Sequence, residues 1–200
     1  MGNPIQAEFS RQAGPMSTAG AFRAPAAVER VVRAIRSTSP GRVLDLACGP
    51  GIVAEAIAPW VGALVGVDGT LEMVRLARAR CAAKGLSNSH FQAAWAENLP
   101  FRDAAVDAVV TRLSFHHFSD LPAVLAEVRR VLRPGGDLVV ADVTCAEDPG
   151  DAALHNALER LRDPTHVRML APSQLREALR RGGFAIQAEE TWSQQRAFPE

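Results

Sequence analysis

Short apolar runs alternate with stretches of helical periodicity along most of this chain. The runs are VLDLA at 43–47, ALVGVD at 63–68, HFQAAW at 90–95, VDAVV at 106–110 and DLVVADV at 137–143. Each is short, and most are rich in branched residues that suit a pleated surface, so each predicts a strand. Between them, apolar positions recur three and four residues apart. Val28, Val31, Val32 and Ile35 share one helical face in a segment that opens at Pro25 and stops at Pro40 and Gly41. Further helices are predicted at about 52–58, 70–84 and 120–132, the last with Leu121, Val124, Leu125, Val128 and Leu132 on one stripe. Strands separated by helices imply parallel pairing, so the predicted class is α/β: a doubly wound, mostly parallel sheet with helices on both faces. Beyond Asp151, Leu154, Ala157, Leu158 and Leu161 mark another helix. Ser173 is placed to cap one more, and Gly182 and Gly183 end it before a sixth strand at 184–192. Residues 1–23 mix Gly, Pro, Ser and Gln without a period and read as an N-terminal arm or lid ahead of a single domain at 24–200.

Composition narrows the partners. Lys plus Arg and Asp plus Glu number 22 each, so no global field exists to hold nucleic acid or an acidic membrane surface. No apolar run approaches the roughly 20 residues that span a bilayer, and no export signal opens the chain. The three cysteines, Cys48, Cys81 and Cys145, lie far apart without metal-ligand spacing. The expectation is a cytoplasmic protein with a small-molecule partner and no metal. A sixth strand with nothing beside it would leave an open edge, from which self-association is expected.

The first strand runs into Gly49 and Gly51 at the start of a helix. Glycines at such a turn let the backbone approach a ligand closely. Asp68 ends the second strand 19 positions after Gly49, where doubly wound folds place an acid to grip a ribose. Packing glycines followed by a loop-starting aspartate would leave the same trace. An acid at the mouth of a site is no core residue, so folding is expected to survive its replacement.

The segment D-L-A-C-G-P-G at 45–51 resembles the first motif of the class I S-adenosylmethionine-dependent methyltransferases, Rossmann-like enzymes in which an acid precedes the glycines. The resemblance continues in G-V-D-G-T-L-E-M-V at 66–74, A-E-N-L-P-F at 96–101, His116-His117-Phe118 and L-R-P-G-G at 132–136, and is nearest to the type 11 subgroup that includes ubiquinone and menaquinone biosynthesis methyltransferases. It implies S-adenosylmethionine as cofactor. Asp45, Ala47 and Gly49 would meet its methionine half and Asp68 its ribose. Gly69 and Met73 would lie along ribose and adenine, and Trp95, Ala96 and Glu97 would bracket the adenine edge. Many relatives have an aspartate where this chain has Trp95, so stacking on the base stands beside core packing as its role. Met73 is equally suited to the helix core. Ala47 replaces the commoner first glycine.

Methyl transfer from a sulfonium is an in-line displacement that needs no metal, and a base helps only protic acceptors. The loop after the fourth strand faces the ligand in such sheets, which makes His116 and His117 candidates for a proton role or for fixing the loop. His166 is a third catalytic candidate and forms with Arg168 a second polar cluster, to bind acceptor or to pair with Asp163. Arg112 would meet the cofactor carboxylate or a surface acid. The L-R-P-G-G segment reads as a turn feeding the fifth strand. Family members continue past the sixth strand to an antiparallel strand beside it, for which residues up to Glu200 leave little room. Two alternatives therefore stand beside a methyltransferase: a catalytically silent cofactor-binding remnant or subunit, and a nicotinamide-dependent oxidoreductase, against which Asp45 and the absence of G-x-G-x-x-G both speak.

Overall fold

The computed structural model describes residues 25–38 and 40–193, together with Glu8, Phe9 and Arg11. Most of the predicted N-terminal arm lies outside the described residues. The elements are α1 (Pro25–Thr38), β1 (Arg42–Leu46), α2 (Ile52–Ile57), β2 (Ala63–Asp68), α3 (Leu71–Ala83), β3 (Ser89–Ala93), β4 (Val106–Arg112), α4 (Leu121–Val131), β5 (Leu132–Ala141), α5 (Pro149–Arg162) and α6 (Pro172–Arg181). The sheet order is β3-β2-β1-β4-β5, with every neighbouring pair parallel.

Alternation along the strands divides the core in two. Val43, Ala108 and Val110 point to the face covered by α1, α2 and α3, where they meet Val31, Ile35, Val53, Ile57, Val74 and Ala77. Leu44, Leu46 and Val109 point to the opposite face and pack on Val124, Val128 and Val131 of α4. The α/β class with helices on both faces is the observed one. Because the winding reverses between β1 and β4, a crevice opens at their carboxyl ends, as in other open parallel sheets.

The turn between β1 and α2 is tightly constrained. Gly51 has φ +79°, and a Cβ there would stand 2.8 Å from the Ala77 Cα of α3, so only glycine lets the two helices close on each other. Ala47 is also left-handed, at φ +53°. A non-glycine residue in that region stores about 1–3 kcal/mol of strain, and glycine returns about 0.5–1 kcal/mol through the unfolded chain. Ala47→Gly is therefore expected to stabilise the fold by about 1 kcal/mol, raising the melting temperature by about 2–4 °C. A lower melting temperature would mean that the Ala47 methyl packs better than its backbone strains.

Three expectations are corrected. The L-R-P-G-G segment belongs to β5 itself: Val106 pairs with Leu132 and Ala108 with Asp137, so residues 133–136 bulge out of the ladder. The Asp107 carboxylate pins the bulge, accepting the Arg42 N–H at 2.7 Å and facing Arg133 at 3.1 Å. The sixth strand is absent: residues 184–193 are neither strand nor helix. The acids of that segment are taken by helices, with Glu189 on Arg176 of α6 at 2.8 Å and Glu190 on Arg30 and Arg33 of α1 at 2.9 and 3.2 Å. The Arg30 guanidinium also lies 4.9 Å from the Trp192 ring centroid. Held there, the segment walls a cavity of about 340 Å³ beside β5. Likewise, Ser173 does not cap α6, whose N-cap is Ala171; the Ser173 N–H is given to Glu147 at 2.9 Å.

Candidate active site

A cavity of about 270 Å³ lies in the crevice at the switch point. Asp45, Ala47, Gly49, Asp68, Gly69, Met73, Trp95, Ala96, Glu97 and Arg112, all predicted to bind cofactor, line it together. They arrive from the ends of β1, β2 and β4, from the loop after β3 and, for Met73, from the first turn of α3.

Asp45 and Asp68 make this pocket acidic at its base. Asp45 is 1% exposed, and its Oδ2 has no hydrogen-bond partner among the described residues. Burial pushes its pKa up to about 8, with the Asp68 charge adding to the rise and the Ala54 N–H and Arg112 opposing it. A buried acceptor without a donor is costly, and such atoms in native folds call for an explanation. Its position in the cavity wall supplies one: the oxygen is placed to receive a donor from a ligand, best a cation.

Asp68 is more than a ribose acceptor. Its Oδ2 accepts the Gly49 N–H and its Oδ1 the Thr70 N–H, each at 2.9 Å. The carboxylate thereby clamps the glycine turn of β1 to the start of α3. Burial raises its pKa, and those two N–H bonds limit the rise. The Thr70 side chain bonds the carboxylate too, which leaves about one of its roughly four acceptor sites for a ligand.

Trp95 is 46% exposed and lies against Gly69, where a Cβ would come within 3.0 Å of its ring. It is thus a wall of the cavity with a wet face, whereas Met73, 1% exposed, is helix core that also reaches the lining.

Of the three predicted catalytic histidines, only His117 lines the cavity. The three do cluster: the His116 ring centroid lies 4.1 Å from that of His117 and 5.6 Å from that of His166. His117 Nδ1 lies 3.1 Å from the Thr165 carbonyl, which can only accept, so Nδ1 carries the proton and Nε2 keeps its lone pair. Burial and the neighbouring His116 lower its pKa to about 4, so it is neutral at physiological pH. His116 is turned away: its Nδ1 donates to Asp142 Oδ1 at 2.6 Å, while its carbonyl accepts the N–H groups of Val167 and Arg168. His166 is buried, and its Nε2 donates to Asn156 Oδ1 at 2.9 Å. Burial and His116 lower its pKa as well. Asp163 accepts the His166 backbone N–H on its carbonyl at 3.0 Å, while Arg168 bonds Gln174 at 3.1 Å.

Sequence reasoning missed Asp142, which organises this corner. Beyond His116, its oxygens accept the N–H groups of Ser114 at 3.1 Å, Phe115 at 2.5 Å and Val143 at 2.7 Å. It thus fixes the 3-10 turn Phe115–His117 that presents His117 to the cavity. The signal was present: Asp142 follows β5 directly, much as Asp68 ends β2. Leu113, left-handed at φ +55°, and Phe9 also line the cavity. The Phe9 ring meets His117 edge-on with centroids 5.1 Å apart.

Comparison with known proteins agrees with this geometry. A family model described as a methyltransferase domain matches residues 43–136. The uncharacterized methyltransferase YcgJ of Bacillus subtilis is 40% identical over 152 residues, 76% of this chain and 60% of YcgJ. The YcgJ crystal structure superposes with a TM-score of 0.76 at 36% identity, covering 80% of this chain and 68% of that one. A demethylmenaquinone methyltransferase from Thermotoga maritima is 38% identical over 118 residues, 58% of this chain and 49% of the relative. The crystal structure of the cyclase SpnF matches with a TM-score of 0.67 at 30% identity, over 80% of this chain and 57% of that one. The chain spans about half to three-fifths of the length of these curated relatives. The nicotinamide reading gains no support from them.

Proposed function

Since the chain belongs to the methyltransferase-domain family, we propose that it binds S-adenosylmethionine in the switch-point cavity and transfers the methyl group to a small-molecule acceptor. The observation that carries this reading is Asp45 Oδ2, buried in the cavity wall without a partner among the described residues, on a carboxyl group that a bound ammonium would draw into its ionised form. When bound, S-adenosylmethionine supplies an electrophilic methyl group on a sulfonium, open to in-line attack.

The residues divide the work. Asp45 holds the amino group, and the Ala47–Gly49 turn offers its backbone. Asp68 takes a ribose hydroxyl on its remaining acceptor site while keeping the turn closed. Gly69, Met73, Trp95, Ala96 and Glu97 form the adenine side, with the exposed indole face of Trp95 available for stacking. Arg112 faces the carboxylate end. His117 Nε2 takes the proton of a hydroxyl or acidic carbon acceptor, and His116 and His166 position it, the first through Asp142 and the second through Asn156. Phe9 of the N-terminal segment, packed against His117, joins the cavity lining. Three free, buried cysteines fit a reducing cytoplasm. No helix among the described residues is long and apolar enough to cross a membrane.

The test is ligand binding followed by an acceptor screen. S-Adenosylhomocysteine should raise the melting temperature and NADH should not, because only a ligand held by the native state stabilises it. Equal shifts from both would overturn the assignment. A second reading, cofactor binding without methyl transfer, draws on the withdrawal of His116 and His166 from the cavity; tight binding with no turnover on any acceptor class would select it.

His117→Gln is expected to lower turnover by about a hundredfold or more on a protic acceptor while leaving cofactor affinity intact. Because the His117 pKa is lowered to about 4, its base form is already complete near neutrality. The turnover profile should therefore stay flat above about pH 6 and fall only toward the acid limb. A profile with its midpoint near the ordinary histidine value would assign the proton elsewhere.

A further inference from the structure

Helix α5 is mounted with its apolar face outward. Leu154, Leu158 and Leu161 are 57%, 55% and 84% exposed, and Ala157 between them is exposed too. These positions recur at the spacing that normally turns toward a core. The inward face is polar instead: Asn156 is buried, accepts the Met169 N–H at 2.7 Å and the His166 Nε2–H at 2.9 Å, and donates to the Ala152 and Met169 carbonyls. That network fixes the rotation of the helix, because turning the leucines inward would strip the three hydrogen bonds that join Asn156 to His166 and Met169 outside it. The outward stripe is therefore built into the fold.

We infer that α5 is a dimerisation surface whose occupant is α5 of a second copy of this chain, packed antiparallel about a two-fold axis near Ala157 and Leu158. The stripe is self-complementary in that arrangement. Leu154 meets Leu161 of the second copy, Leu158 meets its own equivalent, and the small Ala157 lets the helices approach. The charges match in the same register. Asp148 and Asp151 stand at the start of the helix and Arg160 and Arg162 at its end, so each acidic end faces the basic end of the other copy. A lipid surface would select one sign along the rim, whereas this rim carries opposite signs at opposite ends. Since the inner face of α5 holds His166, and through it the histidine cluster, the dimer braces the wall of the active site. One 14-residue helix face makes a small interface, so the association is reversible and concentration-dependent.

Sedimentation velocity over a wide concentration range tests this with full-length protein. The parent chain is expected to shift from monomer to dimer as concentration rises. Leu158→Glu should remain monomeric with unchanged circular dichroism and melting temperature, since the side chain is exposed in the monomer. Asp151→Arg should weaken the dimer about threefold, and Asp151→Arg combined with Arg162→Asp should restore it. A parent chain that stays monomeric throughout overturns the inference, as does a dimer that survives Leu158→Glu. A monomer whose melting temperature falls in Leu158→Glu would show cover from elsewhere in the same chain, and cosedimentation with anionic vesicles without dimerisation would show a lipid surface; each also overturns it. A double variant no tighter than Asp151→Arg alone overturns the antiparallel arrangement.

Discussion

Asp45→Asn is expected to make the ligand-free protein more stable at pH 8 and, in the same molecule, to remove most of its affinity for S-adenosylhomocysteine. The carboxyl group titrates at about 8 in the fold against 3.8 when unfolded. The fold therefore prefers the protonated form. Its stability from this group is fully present below pH 3.8 and is lost as pH rises toward and through 8. An uncharged amide of the same shape escapes that loss, and a gain of about 2–4 kcal/mol at pH 8 corresponds to a rise of about 5–10 °C in melting temperature. The gain should shrink as the pH is lowered toward 5. His117 works the other way, costing stability as pH falls from 6.5 toward its lowered value of about 4, but it is common to parent and variant and cancels in the difference. Affinity moves oppositely, because a buried charge pair loses about 3–5 kcal/mol when one partner is removed, a hundredfold or more in binding. Ligand binding by the parent should also release about one proton at pH 7 as Asp45 ionises, visible by calorimetry in buffers of different ionisation heat. No proton release, or an Asn variant that binds like the parent, would take Asp45 out of the ammonium site.

Asp68→Ala carries the second large effect, and it falls on fold and ligand together. The sequence led to the expectation that folding would survive the change; the structure corrects this, since Asp68 holds the Gly49 and Thr70 N–H groups at 2.9 Å. Charge-assisted bonds of this kind contribute about 1.5–3 kcal/mol each, so Ala is expected to cost about 2–4 kcal/mol of stability and to weaken S-adenosylhomocysteine at least tenfold to a hundredfold. Asn keeps one acceptor oxygen and loses the other, which meets a backbone donor with an amine. It should fall between parent and Ala in affinity, and its stability should drop nearly as far as that of Ala. Thermal melts and calorimetric titration on the same samples separate the two effects. An Ala variant that melts like the parent would show that the turn is held without Asp68.

The five strands of the sheet and the residues that gather at the switch-point cavity were legible because both rest on local pattern. ALVGVD at 63–68 coincides with β2, and the glycine turn with its distant acid falls where short-range spacing puts it. What escaped depended on neighbours across the fold. The FAIQAEETW segment alternates like a strand, yet Glu189 and Glu190 find arginines on α6 and α1 before the segment finds a ladder. The apolar stripe of α5 was visible, but its direction was not, since the Asn156 network that orients it joins residues 10 and 13 apart through the loop at 165–169. His116, His117 and His166 were grouped by chemistry; which one reaches the cavity was decided by Asp142 and Asn156, whose roles appear only when β5 and α5 are packed. The unsatisfied oxygen of Asp45 is a fact of burial that no motif records.

The wall that residues 184–193 give to the second cavity has a consequence for how the molecule opens. Glu189 and Glu190 are about half exposed, and surface pairs of this kind are each worth about 0–1 kcal/mol. A fastening made of such pairs weakens as ionic strength rises, while the hydrophobic core beneath does not. In molar salt the segment should become the first to exchange its amide hydrogens and the first to be cut by protease, long before the sheet loosens. Native-state exchange would then show an edge whose protection is set by the solution, beside a centre whose protection is set by the sequence.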